Sequence, residues 1–510
     1  MLRERTMKPS RFAATAVAIA STAATIALAD WVPQDLQASP ALARSAVGAS
    51  IAIFQSSAVA DVEGGNRAVM WAGAPFATGA AADSGMVHAW RYQPNPGMQW
   101  VYAFTLASGL PRPGAAFGAA VAWGRTVNST GYPSTVGFLL VGSPRAPRVT
   151  GSVGIGDQCA GYAEAFAMAN VMGAPTSGTP VSLPHPSPQG GDLYGAAVAT
   201  TLAANVAYAM VSAPLDDRIV DGTTYMDAGT VQCFRRDAAT TFTYVGEAAA
   251  PTATANDRFG EALCASGSRF YARVGSETPR VAVFRFDAGV PVFESYVNYP
   301  GSETAALEGF GTAIACDGTF LAVGGPGPGR SGPGVGRVWI FDAAPPFALR
   351  TVVESPFPSE CAGFGSAVAL ERGTLVVGTA EGESSLLAGM ASAYSLETTT
   401  AVATTLFVEA DTEGAESGFG CVVASSGLHV AIGAPTKGSG IEGGVRTVTS
   451  RPAPRTPDLN HDGVVNGTDL GLLLGMFRTA SSNSQGDLNY DGQVNGLDLG
   501  ILLGAWGTVP

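Results

Sequence analysis

A unit of short apolar segments recurs seven times between residues 44 and 450, and this repeat limits the possible folds more than any other feature. Each unit opens with an aromatic-Gly pair and a first apolar segment. A second segment ends in a Gly-x-Pro-like turn, and a third begins after Gly and ends in an aromatic residue. The clearest copy occupies 310–315, 321–326 and 336–342. Repeats of this size are typical of architectures in which each unit needs its neighbours to bury its apolar face.

The spacing of the copies predicts four strands per unit. They begin near residues 47, 117, 194, 259, 310, 364 and 419, at intervals of 51 to 77 residues, and the first is degenerate because Val47-Gly48 replaces the aromatic pair. The fourth strand is predicted just before the next aromatic-Gly pair, as at 99–104 and 349–353. We therefore predict a mainly β protein in which residues 30–450 form a seven-bladed β-propeller.

Ring closure is the second prediction from the repeat. The last copy ends near residue 450 without a fourth strand, and residues 30–37 lie just before the first copy. We expect this N-terminal segment to supply the missing strand, which leaves only short, protected strand edges. A set of separate β-sandwiches is the competing interpretation, because regularly spaced short strands also fit that class.

Composition and charge exclude some functions. Gly contributes 66 of 510 residues, about twice its ordinary ~7% share, as expected for strands joined by tight turns. The formal net charge of -13 argues against a nucleic-acid partner, since that binding needs a basic face.

The N-terminus is typical of a secretory signal peptide, which we place at residues 1–29. A basic start precedes the uncharged apolar stretch 12–28, and cleavage is predicted after Ala29. A membrane anchor is the alternative, but this stretch is short and weakly hydrophobic for a span. We therefore predict a secreted or cell-surface protein with no membrane span in its mature form.

Six cysteines follow the predicted cleavage site, at positions 159, 233, 264, 316, 361 and 421. They form no C-x-x-C pair, so a zinc site is not predicted. In an oxidising compartment some would form disulfides, and the 15 possible pairings stay open.

The repeat resembles the FG-GAP repeat of integrin alpha-chain propellers and of many secreted bacterial proteins, on the copies that begin at Phe310, Phe364 and Phe419. In that family some repeats carry an Asp-rich calcium loop between the Phe-Gly strand and the Gly-Ala-Pro turn. The matching segments of this chain are short, and 316–318 offers only the Asp317 carboxylate. No calcium site is therefore expected in the propeller.

The chain ends in a small domain, 458–510, which follows a Pro-rich linker at 451–457. Its segments 458–469 and 487–498 match each other at a distance of 29 residues. A calcium loop of the EF-hand type places oxygen ligands at positions 1, 3, 5, 7, 9 and 12 and Gly at position 6, and both segments fit. We predict two Ca²⁺ ions, with Val464 and Gln493 contributing backbone carbonyls. The predicted ligands are Asp458, Asn460, Asp462, Val464, Asn466, Asp469, Asp487, Asn489, Asp491, Gln493, Asn495 and Asp498.

Each loop leads into one predicted amphipathic helix. The apolar positions at helical spacing are Leu470, Leu473, Leu474 and Phe477 in the first, and Leu499, Leu502, Leu503 and Trp506 in the second. We expect these faces to pack together and metal binding to be coupled to folding.

A duplicated loop with a single helix and Asp at position 12 resembles the type I dockerin family, of the kind found in secreted planctomycete proteins, over residues 458–507. The resemblance implies calcium binding and docking to a cohesin-like or cell-envelope protein. Well-known dockerins often carry Ser-Thr at loop positions 10 and 11. The corresponding docking residues of this chain are Gly467, Thr468, Gly496 and Leu497.

The preferred functional hypothesis is a secreted binding or structural protein whose propeller presents a surface for a polysaccharide or protein ligand. No nucleophile or metalloprotease motif occurs, and His88 and His429 lie in predicted strands, where a structural role is expected. The alternative is a dockerin-borne polysaccharide-degrading enzyme, a glycoside hydrolase or lyase, with paired carboxylates on the propeller. Candidates for such a pair are Asp257, Glu261, Glu371 and Glu416. Adhesion through a broad exposed aromatic patch on one propeller face is a third hypothesis.

Overall fold

The computed structural model describes twenty segments of the chain, and every structural statement below concerns these residues. They are 31–37, 45–55, 68–93, 99–127, 133–146, 159–168, 180–275, 278–301, 309–327, 336–356, 363–379, 389–396, 403–410, 417–437, 442–450, 457–460, 464–477, 486, 488 and 494–507. The predicted signal peptide and nearly all of the linker lie outside the described residues and stay predictions.

Seven four-stranded antiparallel sheets form the body of the protein, and a two-stranded hairpin is inserted in the third. In chain order the strands are β1 (Trp31–Leu36); β2 (Ser50–Gln55), β3 (Ala68–Ala74), β4 (Met86–Gln93) and β5 (Gln99–Leu106) of blade 1; β6 (Ala120–Val127), β7 (Pro133–Ser143), β8 (Tyr162–Met168) and β9 (Val181–Leu183) of blade 2; β10 (Val198–Ala203), β11 (Val206–Ala213), the hairpin β12 (Arg218–Val220) and β13 (Thr223–Tyr225), β14 (Thr230–Ala238) and β15 (Thr241–Ala248) of blade 3; β16 (Leu263–Ser266), β17 (Arg269–Val274), β18 (Arg280–Asp287) and β19 (Val290–Asn298) of blade 4; β20 (Ala313–Cys316), β21 (Phe320–Gly325), β22 (Arg337–Asp342) and β23 (Leu349–Glu354) of blade 5; β24 (Phe364–Glu371), β25 (Thr374–Thr379), β26 (Met390–Leu396) and β27 (Ala403–Ala410) of blade 6; and β28 (Val422–Ser425), β29 (His429–Ala434) and β30 (Gly444–Ser450) of blade 7.

The sheets are the blades of a closed ring. The first strand of each blade contacts the first strand of the next, and β28 of blade 7 contacts β2 of blade 1. The predicted seven-bladed β-propeller is therefore confirmed, and the interpretation as separate sandwiches is wrong.

The N-terminal strand closes the ring, as predicted. β1 pairs antiparallel with β30, from Trp31 opposite Ser450 to Leu36 opposite Val445, and becomes the fourth strand of blade 7. The Gln34 side chain then joins blade 7 to blade 1, because its amide donates to the Trp100 carbonyl oxygen at 2.9 Å and accepts from the Trp100 N–H at 2.8 Å. Hydrogen bonds therefore join β1 to β30 of blade 7 and to β5 of blade 1.

The aromatic-Gly pair that opens each repeat lies at the boundary between two blades. Its aromatic ring is buried there, fully so for Phe117 and Phe364. The glycine has φ between +84° and +92° in all seven copies, a conformation that side chains other than glycine rarely adopt. Its N–H donates to the second strand of its own blade, as from Gly118 to the Gly142 carbonyl oxygen at 3.1 Å.

A second glycine, at the end of the second strand, receives this pair from the next blade. A Cβ atom at Gly73 would lie 1.9 Å from the Gly118 carbonyl oxygen, so only hydrogen fits between the two backbones. The same contact recurs between Gly142 and Gly195, Gly324 and Gly365, Gly378 and Gly420, and, across the ring closure, Gly433 and Gly48. Blades 3 and 4 carry Ser212 and Arg273 at this position.

Two short helices follow the propeller in the sequence, α1 (Gly467–Gly475) and α2 (Gly496–Gly504). Neither is long and apolar enough to cross a membrane, and the same holds for every helix in the described part of the chain.

Candidate functional site

The two predicted loop–helix units begin their helices in the same way. Asn466 precedes α1 and accepts a hydrogen bond from the Thr468 N–H at 2.7 Å, and Asn495 precedes α2 and accepts from the Leu497 N–H at 2.8 Å. Each Asn forms a capping box with the Asp three residues later, which satisfies N–H groups that a helix start leaves free. Loop position 9 is therefore also the N-cap of the helix.

The Asp at loop position 12 ties each helix back to the start of its loop. Asp469 is fully buried and accepts from the N–H groups of Leu459 at 2.7 Å, Asn460 at 3.1 Å and Asn466 at 2.9 Å. Burial raises the pKa of the Asp469 carboxyl, but these backbone donors outweigh it and hold the pKa below its ordinary value. Asp469 is therefore a charged carboxylate inside the fold.

The second unit repeats this arrangement. Asp498 is also fully buried and accepts from the N–H groups of Leu488 at 2.7 Å and Asn495 at 2.8 Å. The two position-12 carboxylates thus have equivalent partners 29 residues apart, as the sequence repeat predicts.

Seven of the twelve predicted calcium ligands lie in the described part of the chain. Asp458 is buried near the start of the first loop, and the exposed Val464 directs its carbonyl oxygen to the Asn466 side-chain amide at 3.1 Å. The others are Asn460, Asn466, Asp469, Asn495 and Asp498, whereas Asp462, Asp487, Asn489, Asp491 and Gln493 lie outside the described residues. Among the residues described, no three His, Cys, Asp or Glu side chains form a metal-binding group. The donors present are carboxylate, amide and carbonyl oxygens, which fit a hard cation such as Ca²⁺.

One small core joins the two units. It contains three pairs of buried residues at a spacing of 29: Leu459 and Leu488, Val465 and Val494, and Leu473 and Leu502. The chain after α2 also returns to the first loop, since the Gly507 N–H donates to the Val465 carbonyl oxygen at 2.8 Å. The position of each loop is thereby coupled to that of both helices.

The expected apolar faces pack together only in part. Leu473 and Leu502 are buried, and Leu470, Phe477 and Leu499 pack against them, but the expectation for Leu474, Leu503 and Trp506 is wrong because these side chains are about half exposed. Consecutive residues of a helix lie about 100° apart around its axis. Of several consecutive leucines in a nine-residue helix, only one therefore faces the core.

At the predicted docking positions, Gly467, Thr468 and Gly496 are exposed and Leu497 is 65% exposed. The large apolar residues exposed on the two helices are Leu472, Leu474, Leu497 and Leu503, and Trp506 is exposed in the turn after α2.

The propeller has a central channel of about 520 Å³ lined by the first strands of all seven blades. Arg125 of β6 and Glu371 of β24 form an ion pair in it, with Nη2 and Oε1 3.2 Å apart. Blades 2 and 6 are three steps apart in the ring, so this pair crosses the channel. The guanidinium also lies over the Phe54 ring at 5.4 Å. Sequence reasoning missed this pair, because nothing links two residues 246 positions apart before the ring is known.

The carboxylates proposed for catalysis have other partners. Glu371 pairs with Arg125, and Glu261 forms an ion pair with Arg273. Asp257 is buried and accepts from the Thr254 N–H at 3.1 Å. Glu416 lies outside the described residues.

Blade 2 holds a buried carboxyl that the sequence did not reveal. Glu164 accepts from the Tyr162 hydroxyl at 2.9 Å and the Gly109 N–H at 3.1 Å. Burial raises its pKa, and the hydrogen bonds from Tyr162, Ser108 and Gly109 reduce that shift without cancelling it. No motif marks this residue in the sequence.

The expected aromatic patch for adhesion is not found in the described part of the propeller. The large aromatic side chains exposed there are Phe76 and Tyr244, which belong to blades 1 and 3. His88 and His429 lie in β4 and β29 and are buried, as expected for structural histidines.

Comparison with known proteins gives no family. No family model matches the chain, and no curated protein matches it. Among the 598 chains of solved structures that match, one is titled "Structure of U3-55K", with a TM-score of 0.46 and 10% identity over 82% of this chain and 98% of that chain. The propeller assignment rests on the sheets described above, and the FG-GAP and dockerin assignments stay predictions.

Proposed function

We propose that this chain is an exported binding protein with two parts. An FG-GAP-like propeller presents a ligand-binding surface, and a dockerin-type module with two Ca²⁺ ions attaches the protein to a cohesin-like or cell-envelope protein. The observation that carries this proposal is the duplicated loop–helix unit, whose equivalent residues share one core and whose buried Asp469 and Asp498 have equivalent partners.

In this proposal the loops of the module bind the ions and the helices contact the partner. The oxygen ligands named above would hold the ions, and bound calcium would neutralise the acidic loops. Asp469 fixes the start of the first loop to the start of α1, so a closed loop orients the helix. Leu473 and Leu502 pack the two helices into the shared core. The exposed Leu497, Leu503 and Trp506 give the partner an apolar surface.

The attachment is tested by a pull-down from the cell envelope of the producing organism with the full chain. We expect one or a few proteins to be retained with Ca²⁺ and released by a chelator. The double variant Asp469→Asn, Asp498→Asn should retain none of them. The matched control is Asp83→Asn, Asp221→Asn, which removes two carboxylates in exposed turns at φ of +49° and +50°, where Asn is tolerated. Retention that is equal with and without chelator would contradict the proposal.

Binding is favoured over catalysis for the propeller because Asp257, Glu261 and Glu371 have structural partners. A panel of polysaccharides incubated with the full chain separates the two functions. Release of soluble sugar would replace the binding proposal with the enzymatic alternative, whereas retention of the protein on one polysaccharide without sugar release supports it.

A further inference from the structure

Two cysteines meet inside the propeller channel. Cys264 lies in β16 of blade 4 and Cys316 in β20 of blade 5, and these inner strands contact each other. Both side chains line the channel and are partly buried, next to the cluster that contains Ile314 and Tyr271. Their separation of 52 positions in the sequence gives no sign of this contact, and the repeat brings them together only as equivalent strands of neighbouring blades.

Both cysteines pack against the same buried cluster and are free thiols. The Cys316 thiol is within hydrogen-bonding reach of the Cys264 thiol, and both cysteines are unpaired by disulfides. Burial, and then the Cys264 thiol, raise the pKa of Cys316 well above its ordinary value. A disulfide needs the two sulfurs to approach to about 2.05 Å, and side-chain rotation can supply part of that movement.

We propose that Cys264 and Cys316 are a redox pair that closes a disulfide between blades 4 and 5 when a small disulfide oxidant enters the channel. One thiol loses its proton and attacks the oxidant, which releases one reduced thiol and leaves a mixed disulfide. The second cysteine then attacks the mixed disulfide, so the S–S bond forms and a second reduced thiol leaves. The protein loses two electrons and two protons, and the oxidant gains them.

The reaction should be slow at neutral pH and faster in mildly alkaline solution, because the thiolate is the attacking species. Cys233 offers a matched comparison. It is fully buried in the core of blade 3 rather than in the channel, and burial also raises its pKa. Among the cysteines in the described part of the chain, only the channel pair combines contact between two thiols with access for a small molecule.

The test uses the full folded chain and oxidised glutathione as the probe. After incubation the protein is denatured, its remaining thiols are alkylated, and its peptides are mapped by mass spectrometry. We expect a peptide that joins residues 264 and 316, lighter by two hydrogen atoms, with the loss of two alkylatable thiols. Its rate of formation should rise about tenfold per pH unit below the pKa of the attacking thiol.

Variants keep the test specific. Cys264→Ser should abolish the linked peptide and leave Cys316 either as an alkylatable thiol or as a mixed disulfide with glutathione, and Cys316→Ser should do the same for Cys264. The control Cys233→Ser should form the linked peptide at the wild-type rate. Wild-type protein in which both thiols stay alkylatable would overturn the proposal, and so would a disulfide that joins Cys264 to any cysteine other than Cys316.

Discussion

Replacing Gly73 with Ala adds one methyl group where the backbones of blades 1 and 2 meet. The new Cβ would lie 1.9 Å from the Gly118 carbonyl oxygen and 2.4 Å from Ser50 Oγ. Non-bonded carbon and oxygen atoms need about 3.3 Å, so the two blades have to separate by more than ~1 Å. Because the obstructing atom belongs to the backbone, no rotamer change relieves the clash.

The cost follows from the packing at this boundary. Inserting a methyl group into a packed core costs about 1–3 kcal/mol, and a gap of 0.5–1 Å forfeits a quarter to a half of each dispersion contact. Blades 1 and 2 share a buried cluster that includes Trp71, Phe117 and Leu139, all of which would lose contact. We expect the free energy of unfolding to fall by at least about 3 kcal/mol, or on the order of 100-fold in the unfolding equilibrium.

A pair of tryptophans reports on the same boundary. Trp71 and Trp123 stack across it with ring centroids 4.7 Å apart and planes 8° from parallel. Urea unfolding followed by near-ultraviolet circular dichroism should show a lower midpoint for Gly73→Ala and a weakened signal from this stack before unfolding. The control Gly267→Ala, with φ of +59° and nothing within 4 Å of the added atom, should cost only about 1 kcal/mol. A Gly73→Ala midpoint no lower than that of the control would refute this account of the repeat.

Three further predictions concern the ring closure, the dependence of stability on pH, and the small C-terminal domain. Gln34→Ala removes two hydrogen bonds to β5 and should lower the free energy of unfolding in urea by about 2 kcal/mol. The control Asp35→Ala removes an exposed ion pair and should lower it by less than about 1 kcal/mol. Equal losses would argue against closure through Gln34. Burial lowers the pKa of His429 from 6.5 to about 3. The contribution of neutral His429 to stability is therefore complete above pH 6.5, and the free energy of unfolding falls by about 1.4 kcal/mol per pH unit as pH falls from 6.5 toward 3. His429→Gln should flatten that part of a plot of unfolding free energy against pH, and an unchanged plot would contradict the assignment. Leu473→Ala should lower the free energy of unfolding of the C-terminal domain by about 2–5 kcal/mol and abolish its helical circular dichroism. Leu474→Ala changes a half-exposed side chain and should retain that signal. The reverse order would contradict the described core.

The ring could be predicted from the sequence because its contacts repeat. The aromatic-Gly pair recurs at six of the seven blade boundaries and the second glycine at five, so the backbone geometry that places Gly118 against Gly73 appears as a motif. The closing strand β1 could be predicted for the same reason, since the last copy lacks one strand. The hairpin β12–β13 could not, because it belongs to no repeated contact and lengthens blade 3 alone.

Contacts across the ring had no signal in the sequence. Arg125 and Glu371 meet only because seven blades bring their inner strands around one axis, and Cys264 and Cys316 meet only because their blades are neighbours. In the C-terminal domain, the loop spacing marked Asp469 and Asp498 as equivalent residues, and their role as calcium ligands stays a prediction. The apolar pattern alone did not distinguish the buried Leu473 from the exposed Leu474. With consecutive leucines, the tertiary contacts decide which one faces the core.

Calcium binding by the full chain is the most direct test of the account. Calorimetric titration of chelator-treated protein with Ca²⁺ should show two ions bound per chain, accompanied by a rise in helical circular dichroism. The double variant Asp469→Asn, Asp498→Asn should bind neither ion, while Asp83→Asn, Asp221→Asn should bind both. Wild-type protein that takes up no Ca²⁺, or a double variant at positions 469 and 498 that still binds two ions, would contradict the account.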